Sequence, residues 1–164
     1  MPALTFRILS FGRQKNSALL EAEQEYVARL RSDAAIEISE LEIAQKGNAK
    51  VEERKKAEGD KLIASLNSRD YLFVLDERGK SLSSQELSEL LQKQMSSGYS
   101  SFSFAIGGAD GWDNAIRQKA NYLISLSKMT FTSQMARFIL IEQLYRAVSI
   151  QKGSPYHRGG SSVD

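Results

Sequence analysis

The stretch YLFVLD, residues 71–76, decides how this chain folds. It is a continuous apolar run that ends in an acidic residue. Runs of this kind are typical of strands in parallel sheets, where helices cover both faces of the sheet. The stretch therefore predicts a central strand of an α/β domain.

The segments on either side of this run alternate between strand and helix patterns. Alternating apolar residues predict strands, and apolar residues spaced three and four apart predict helices. Strand patterns occupy 4–11, 36–43, 102–106 and 122–127, and helical patterns occupy 17–31, 50–66, 83–95, 112–121 and 133–151. We expect one α/β domain over residues 1–164, with a largely parallel sheet flanked by helices and a disordered tail at 159–164.

Composition places the chain among ordinary soluble proteins, with 41% hydrophobic and 26% charged residues. No window approaches the roughly 20 apolar residues of a membrane span, and the start lacks a signal-peptide pattern. We therefore expect an unexported protein with no membrane partner. The absence of cysteine and the single histidine exclude a thiolate zinc site and a multi-histidine metal site, so we expect no metal.

Three predicted strand exits are candidates for binding a ligand, because ligands of doubly wound sheets lie beyond the carboxyl ends of the strands. They are Leu75–Asp76, Gly107–Gly108 and the segment SLSKMTFTS at 125–133. The glycine pair permits positive φ and lets a ligand approach the backbone, although a tight turn without a ligand has the same pattern. The apolar residues of SLSKMTFTS suit an adenine-sized ring, and core packing is the alternative.

Other nucleotide chemistries receive little support from the sequence. GGADG, residues 107–111, lacks the G-x-G-x-x-G spacing of dinucleotide sites, and no P-loop is present. Asp110 and Asp113 could act as acid or base, but they precede a helix whose N-terminus favours carboxylates electrostatically, so we expect them to cap the helix.

The last predicted helix, 133–151, is apolar on nearly every side, which indicates burial on several sides and suggests a subunit interface. Arg137 and Arg146 lie within it and need carboxylate, phosphate or carbonyl partners if they are buried.

The chain ends in GSPYHRGGSSVD, which places its single histidine, His157, between Tyr156 and Arg158. Histidine is the side chain whose ordinary pKa lies near neutrality. A solvated tail is one interpretation of this ending, and a tail that closes a pocket is the other.

The combination VLDERGK, FAIGGADG, LSKMTF, QMARFILIEQLYRA and GSPYHR resembles the ribosomal RNA large subunit methyltransferase H family, of the SPOUT class. The likeness runs from about Phe6 to Arg158. It implies a trefoil-knotted α/β domain, a rare exception to the rule against threaded chains, and a homodimer. It also implies S-adenosyl-L-methionine as cofactor and methylation of N3 of a pseudouridine in 23S ribosomal RNA on the assembled ribosome.

The resemblance further implies the site residues. Tyr156, His157 and Arg158 of one subunit would form the substrate side of a composite site, with His157 as the base or only as the group that positions the target. The cofactor side would comprise Leu75, Gly107, Gly108, Leu126, Ser127, Lys128, Met129, Thr130 and Phe131.

The sequence departs from the family at Thr132 and Ser133, where members commonly carry proline and histidine. We expect a looser loop at this point. A catalytically weak or inactive dimeric ribosome-binding module with the same fold is therefore an alternative. A generic α/β nucleotide-binding protein that acts on small molecules is a third. We expect a cytoplasmic location, or a plastid or mitochondrial one for a mature organellar form.

Overall fold

The computed structural model, which describes residues 3–44, 47–154 and 156, alternates strands and helices along the chain. The strands are β1 (Leu4–Phe11), β2 (Ala34–Leu41), β3 (Tyr71–Ser81), β4 (Ser101–Ile106) and β5 (Tyr122–Ser125). The helices are α1 (Ser17–Leu30), α2 (Val51–Ser65), α3 (Ser84–Ser96), α4 (Asn114–Lys119) and α5 (Ser133–Gln151). His157, Arg158 and the predicted tail at 159–164 lie outside the described residues. No helix in the described part is long and apolar enough to cross a membrane.

The five strands form one sheet in the order β2-β1-β4-β3-β5, and every neighbouring pair is parallel. This confirms the predicted α/β class and parallel sheet. The interior position of β3, between β4 and β5, explains why residues 71–75 are all apolar. Tyr71, Leu72, Phe73 and Val74 are all buried.

Two strands differ from their predicted bounds. β2 begins and ends two residues earlier than the pattern at 36–43, because its pairing with β1 runs from Leu4 opposite Ala34 to Phe11 opposite Leu41. β3 continues to Ser81, whereas the sequence predicted a strand exit at Leu75–Asp76. Its register shifts so that both Leu75 and Lys80 lie opposite Ile124 of β5.

Successive helices lie on opposite faces of the sheet. α1, α3 and α5 enclose the larger core, in which Leu30, Leu91 and Leu140 pack against phenylalanines of the sheet. α2 and α4 enclose the smaller core on the other face, through Leu62 and Ile116. β1 therefore leads to a helix on one face, and its neighbour β4 leads to a helix on the opposite face. The gap between these two strands is the topological switch point, where open α/β sheets bind ligands.

Helix α5 is fixed from two sides, because it contacts both α1 and α3. Its buried Arg137 pairs with Glu23 of α1 and Glu40 of β2, each at 3.0 Å. Arg146 pairs with Glu142 on the same helix at 2.7 Å. The predicted need of both arginines for polar partners is confirmed.

Candidate active site

The three predicted strand exits lie side by side at the carboxyl edge of the sheet. Val74 of β3 pairs with Ala105 of β4 on one side and with Leu123 of β5 on the other. Each of these residues lies close to the end of its strand's apolar run. Leu75, where the register of β3 shifts, consequently lies beside the ends of β4 and β5, which Gly107 and Leu126 follow.

The segment after β5 is exposed rather than packed into a core. Leu126 and Ser127 are half-buried, but Lys128 through Phe131 are exposed, and Met129 is 76% exposed. The Ser127 hydroxyl accepts a hydrogen bond from the Met129 backbone N–H at 2.9 Å, which shapes the turn. Core packing therefore does not explain the apolar residues of this segment, and its apolar side chains are available to a ligand.

The departure at Thr132 has a structural consequence at the start of α5. The Thr132 hydroxyl accepts a hydrogen bond from the Met135 backbone N–H at 3.2 Å and caps the helix. A proline at this position has no side-chain oxygen to cap the helix. Thr132 thus supplies a polar constraint in the loop that the sequence predicted to be looser.

Gly107 and Gly108 are required for space and not for backbone angle. Neither has a positive φ, so the expectation based on left-handed backbone freedom is wrong. A Cβ atom at Gly107 would lie 3.0 Å from the indole of Trp112, and one at Gly108 would overlap the carboxylate of Glu58. The glycines let a buried ring and a buried carboxylate press against the end of β4.

Glu58 of α2 is only 8% exposed, and its carboxylate faces the end of β4. The Gly108 backbone N–H donates to Glu58 Oε2 over a long 3.4 Å. Burial raises the pKa of Glu58, and this hydrogen bond only partly offsets the effect. A buried carboxylate with such weak pairing is unusual and marks a candidate for binding.

The acidic residues of GGADG and the following turn have structural partners. Arg54 of α2 donates to Asp110 at 2.9 Å, and this hydrogen bond holds the pKa of Asp110 below its usual value. Asp113 caps α4 by accepting from the Ile116 backbone N–H at 3.1 Å. Asp76, after the apolar run of β3, pairs with Arg117 at 2.8 Å. Capping is confirmed for Asp113, whereas Asp110 ties the loop to α2.

Tyr156 packs against helices α1 and α5. Its hydroxyl donates to Glu142 at 2.9 Å and lies 3.1 Å from the Tyr26 hydroxyl, and its ring lies 4.8 Å from the Arg146 guanidinium carbon. Burial, followed by these hydrogen bonds, raises the pKa of Tyr156 well above its usual value. All these partners belong to α1 and α5, so the described contacts do not join Tyr156 to the strand exits of its own chain.

The sequence did not single out Glu58 or Trp112. Glu58 sits in the helical pattern at 50–66, which is rich in charged residues. The available signal was the adjacent Gly59, because a glycine inside a helix often marks a close approach. The approach is to α4, where a Cβ at Gly59 would lie 3.1 Å from Ile116. Among the described residues, no three His, Cys, Asp or Glu side chains are grouped to hold a metal ion.

Comparison with known families assigns the chain to a family. A family model described as a SPOUT methyltransferase matches residues 4–157. This chain belongs to the SPOUT methyltransferase family. The resemblance stated from the sequence motifs is confirmed.

Several relatives named ribosomal RNA large subunit methyltransferase H match the chain over almost its full length. The protein of Pelotomaculum thermopropionicum is 41% identical over 157 residues, which is 92% of this chain and 96% of the relative. The proteins of Enterococcus faecalis and Leuconostoc mesenteroides are 35% and 37% identical, and each match covers 94% of this chain and 100% of the relative.

Proposed function

We propose that this SPOUT methyltransferase transfers a methyl group from S-adenosyl-L-methionine to N3 of a pseudouridine in 23S ribosomal RNA of the assembled ribosome. The observation that carries the proposal is the near full-length match to relatives that share one name, ribosomal RNA large subunit methyltransferase H. The carboxyl edge of the sheet supports it, because three neighbouring strand exits offer backbone and apolar surface to a nucleoside.

The residues at this edge fit an adenosine-bearing cofactor. The β4 backbone ends next to Gly107, and the Met129 and Phe131 side chains in the segment after the neighbouring exit of β5 are exposed. The buried Trp112 indole N–H lacks a hydrogen-bond partner in the described part of the structure. Leu75, Gly107 and Leu126 with the rest of the 126–131 loop would hold the cofactor, which supplies an electrophilic methyl group on sulfonium.

The acceptor side is assigned to Tyr156, His157 and Arg158 of a partner subunit. An imide N3–H is weakly acidic and must lose its proton before the nitrogen attacks carbon. His157 would accept that proton. Alternatively, His157 would only position the pseudouridine, and water would accept the proton. Arg158 would bind phosphate or the developing oxyanion. The raised pKa of Tyr156 makes its phenol an unsuitable proton acceptor, so the base is assigned to His157 or water and not to Tyr156.

This assignment requires a homodimer, because Tyr156 contacts α1 and α5 of its own chain and not its own strand exits. The half-buried aromatic residues of those helices, Tyr26 and Phe138, support a contact between subunits on this side. We further propose the trefoil-knotted path of the family, action on ribosomes in the bacterial cytoplasm, and no metal.

Methyl transfer to ribosomes tests the proposal. Ribosomes from a strain that lacks the corresponding methyltransferase are incubated with the protein and tritium-labelled S-adenosyl-L-methionine, and the labelled nucleoside is identified by mass spectrometry. We expect label in one methylated pseudouridine of 23S RNA. Calorimetric binding of cofactor without any transfer would favour the inactive ribosome-binding module.

A further inference from the structure

A second open feature adjoins Gly108 on the side away from β3 and β5. It is a cleft of about 380 Å³ between the ends of β2, β1 and β4, and α2 forms one wall. We call it the switch-point cleft, since it lies over the gap between β1 and β4. Its size falls within the roughly 300–1,000 Å³ of small-ligand sites.

The walls of the switch-point cleft suit a flat heterocycle. Phe11, Leu41 and Ile43 line it with apolar surface. The Phe11 ring is fixed edge-on against Trp112, with ring centroids 5.8 Å apart. Bases taken out of a nucleic-acid stack bind in pockets with apolar or aromatic walls and a few polar groups that read the base edge.

One buried polar group, the Glu58 carboxylate, reaches this cleft. Its partner among the described residues is the Gly108 N–H at 3.4 Å, so most of its capacity to accept hydrogen bonds remains unused. Arg54 also lines the cleft but is held by Asp110. The Glu58 carboxylate therefore gives the cleft an unused hydrogen-bond acceptor, which would bind a ligand that donates an N–H.

Pseudouridine and uridine differ in this type of group. Both bases present an N3–H between two carbonyl oxygens. In uridine the N1 atom is bonded to ribose, whereas pseudouridine is linked through carbon and therefore has an additional N1–H. An acceptor that binds N1–H leaves N3 free to react. A site that hydrogen-bonds a donor strongly rejects the analogue without it, because its own buried group is then left unpaired.

Resting on the proposed function, we propose that the switch-point cleft receives the target base and that Glu58 accepts a hydrogen bond from N1–H, thereby selecting pseudouridine over uridine. Gly108 is shared by this cleft and the proposed cofactor side, so the two ligands would meet at the end of β4. The raised pKa of Glu58 is consistent with a carboxylate whose partner is supplied by a ligand.

Glu58→Leu tests the inference, because leucine fills the space and cannot accept a hydrogen bond. Methyl transfer is measured on two ribosome preparations, one with pseudouridine at the target position and one from a strain that lacks the pseudouridine synthase and so retains uridine there. We expect the wild-type protein to prefer pseudouridine by at least roughly tenfold in kcat/KM. The Glu58→Leu variant should lose most of this preference and keep its calorimetric affinity for S-adenosyl-L-methionine.

Two further variants distinguish a loss of selectivity from a general loss of folding or activity. Glu53→Leu, on an exposed position of the same helix, should keep the wild-type preference. Ile43→Trp fills the cleft from its rim and should lower kcat/KM on both substrates without changing cofactor affinity.

The outcomes separate the two levels of the argument. A wild-type protein that labels neither ribosome overturns the proposed function. A wild-type protein that labels ribosomes without preference, a Glu58→Leu variant with the full preference, or an Ile43→Trp variant of normal activity overturns this inference alone.

Discussion

Gly79 should be one of the least replaceable residues of the chain. It lies where β3 shifts register against β5, and a Cβ atom there would lie 2.5 Å from the carbonyl carbon and 2.7 Å from the nitrogen of Ile124. Ordinary contacts begin near 3.4 Å, so β5 must move by roughly 0.9 Å. The obstacle is backbone, which cannot rotate away as a side chain can.

Overpacking of this kind costs about 1–3 kcal/mol, and the rigid neighbour places Gly79→Ala near the upper limit, about 3 kcal/mol. For a protein of this size that corresponds to a decrease in Tm of roughly 6–12 °C. Since β5 leads directly into the 126–131 loop, we also expect weaker binding of S-adenosyl-L-methionine. Thermal unfolding followed by circular dichroism and calorimetric titration measure the two effects.

Gly47→Ala is the matched control for stability, because no atom lies within 4 Å of a Cβ built there. It should change Tm little. If Gly79→Ala melted within about 2 °C of the wild type and bound the cofactor normally, the close packing of β3 on β5 would be wrong, and so would the position assigned to the cofactor loop.

Three other predictions concern different parts of the molecule. Arg137→Met leaves Glu23, which is fully buried, without its charged partner, so the free energy of unfolding in urea should fall by about 3–5 kcal/mol and recover when Glu23→Leu is added; additive losses would contradict the pairing. Burial alone would raise the pKa of Asp70, but hydrogen bonds led by those from Ser101 and Ser103 hold it below its usual value. The stability advantage of wild type over Asp70→Asn should therefore be constant near pH 7 and shrink as the pH falls below 3.8 toward the lowered pKa, and an advantage that grew in acid would refute the assignment. His157→Ala should strongly reduce methyl transfer with little change in cofactor affinity, and unaltered turnover would remove His157 from the chemistry.

The architecture could be predicted from local patterns because both faces of the sheet are covered. The apolar run at 71–76 required a central parallel strand, and the exits of its neighbours followed from the alternation of strands and helices. The extension of β3 to Ser81 could not be predicted, since ERGKS is polar and its pairing depends on the contact of Gly79 with β5.

The relative positions of Leu75, Gly107 and the loop after β5 were predictable, because they follow from the order of the parallel strands. Glu58 was not, because a glutamate in a charged helix looks solvated until the helix is placed against the end of β4. The role of the glycine pair was misassigned for the same reason. The sequence shows a missing Cβ, but only the packed structure shows that Trp112 and Glu58 use the space.

The central claim is that neighbouring strand exits hold the methyl donor while the switch-point cleft beside them holds the acceptor base. A crystal structure with sinefungin, a cofactor analogue, tests it most directly. We predict density for the analogue against Leu75, Gly107 and the 126–131 loop, with its amine-bearing carbon directed toward the cleft at Gly108. Density in the cleft itself, or at any other edge of the sheet, would contradict the account.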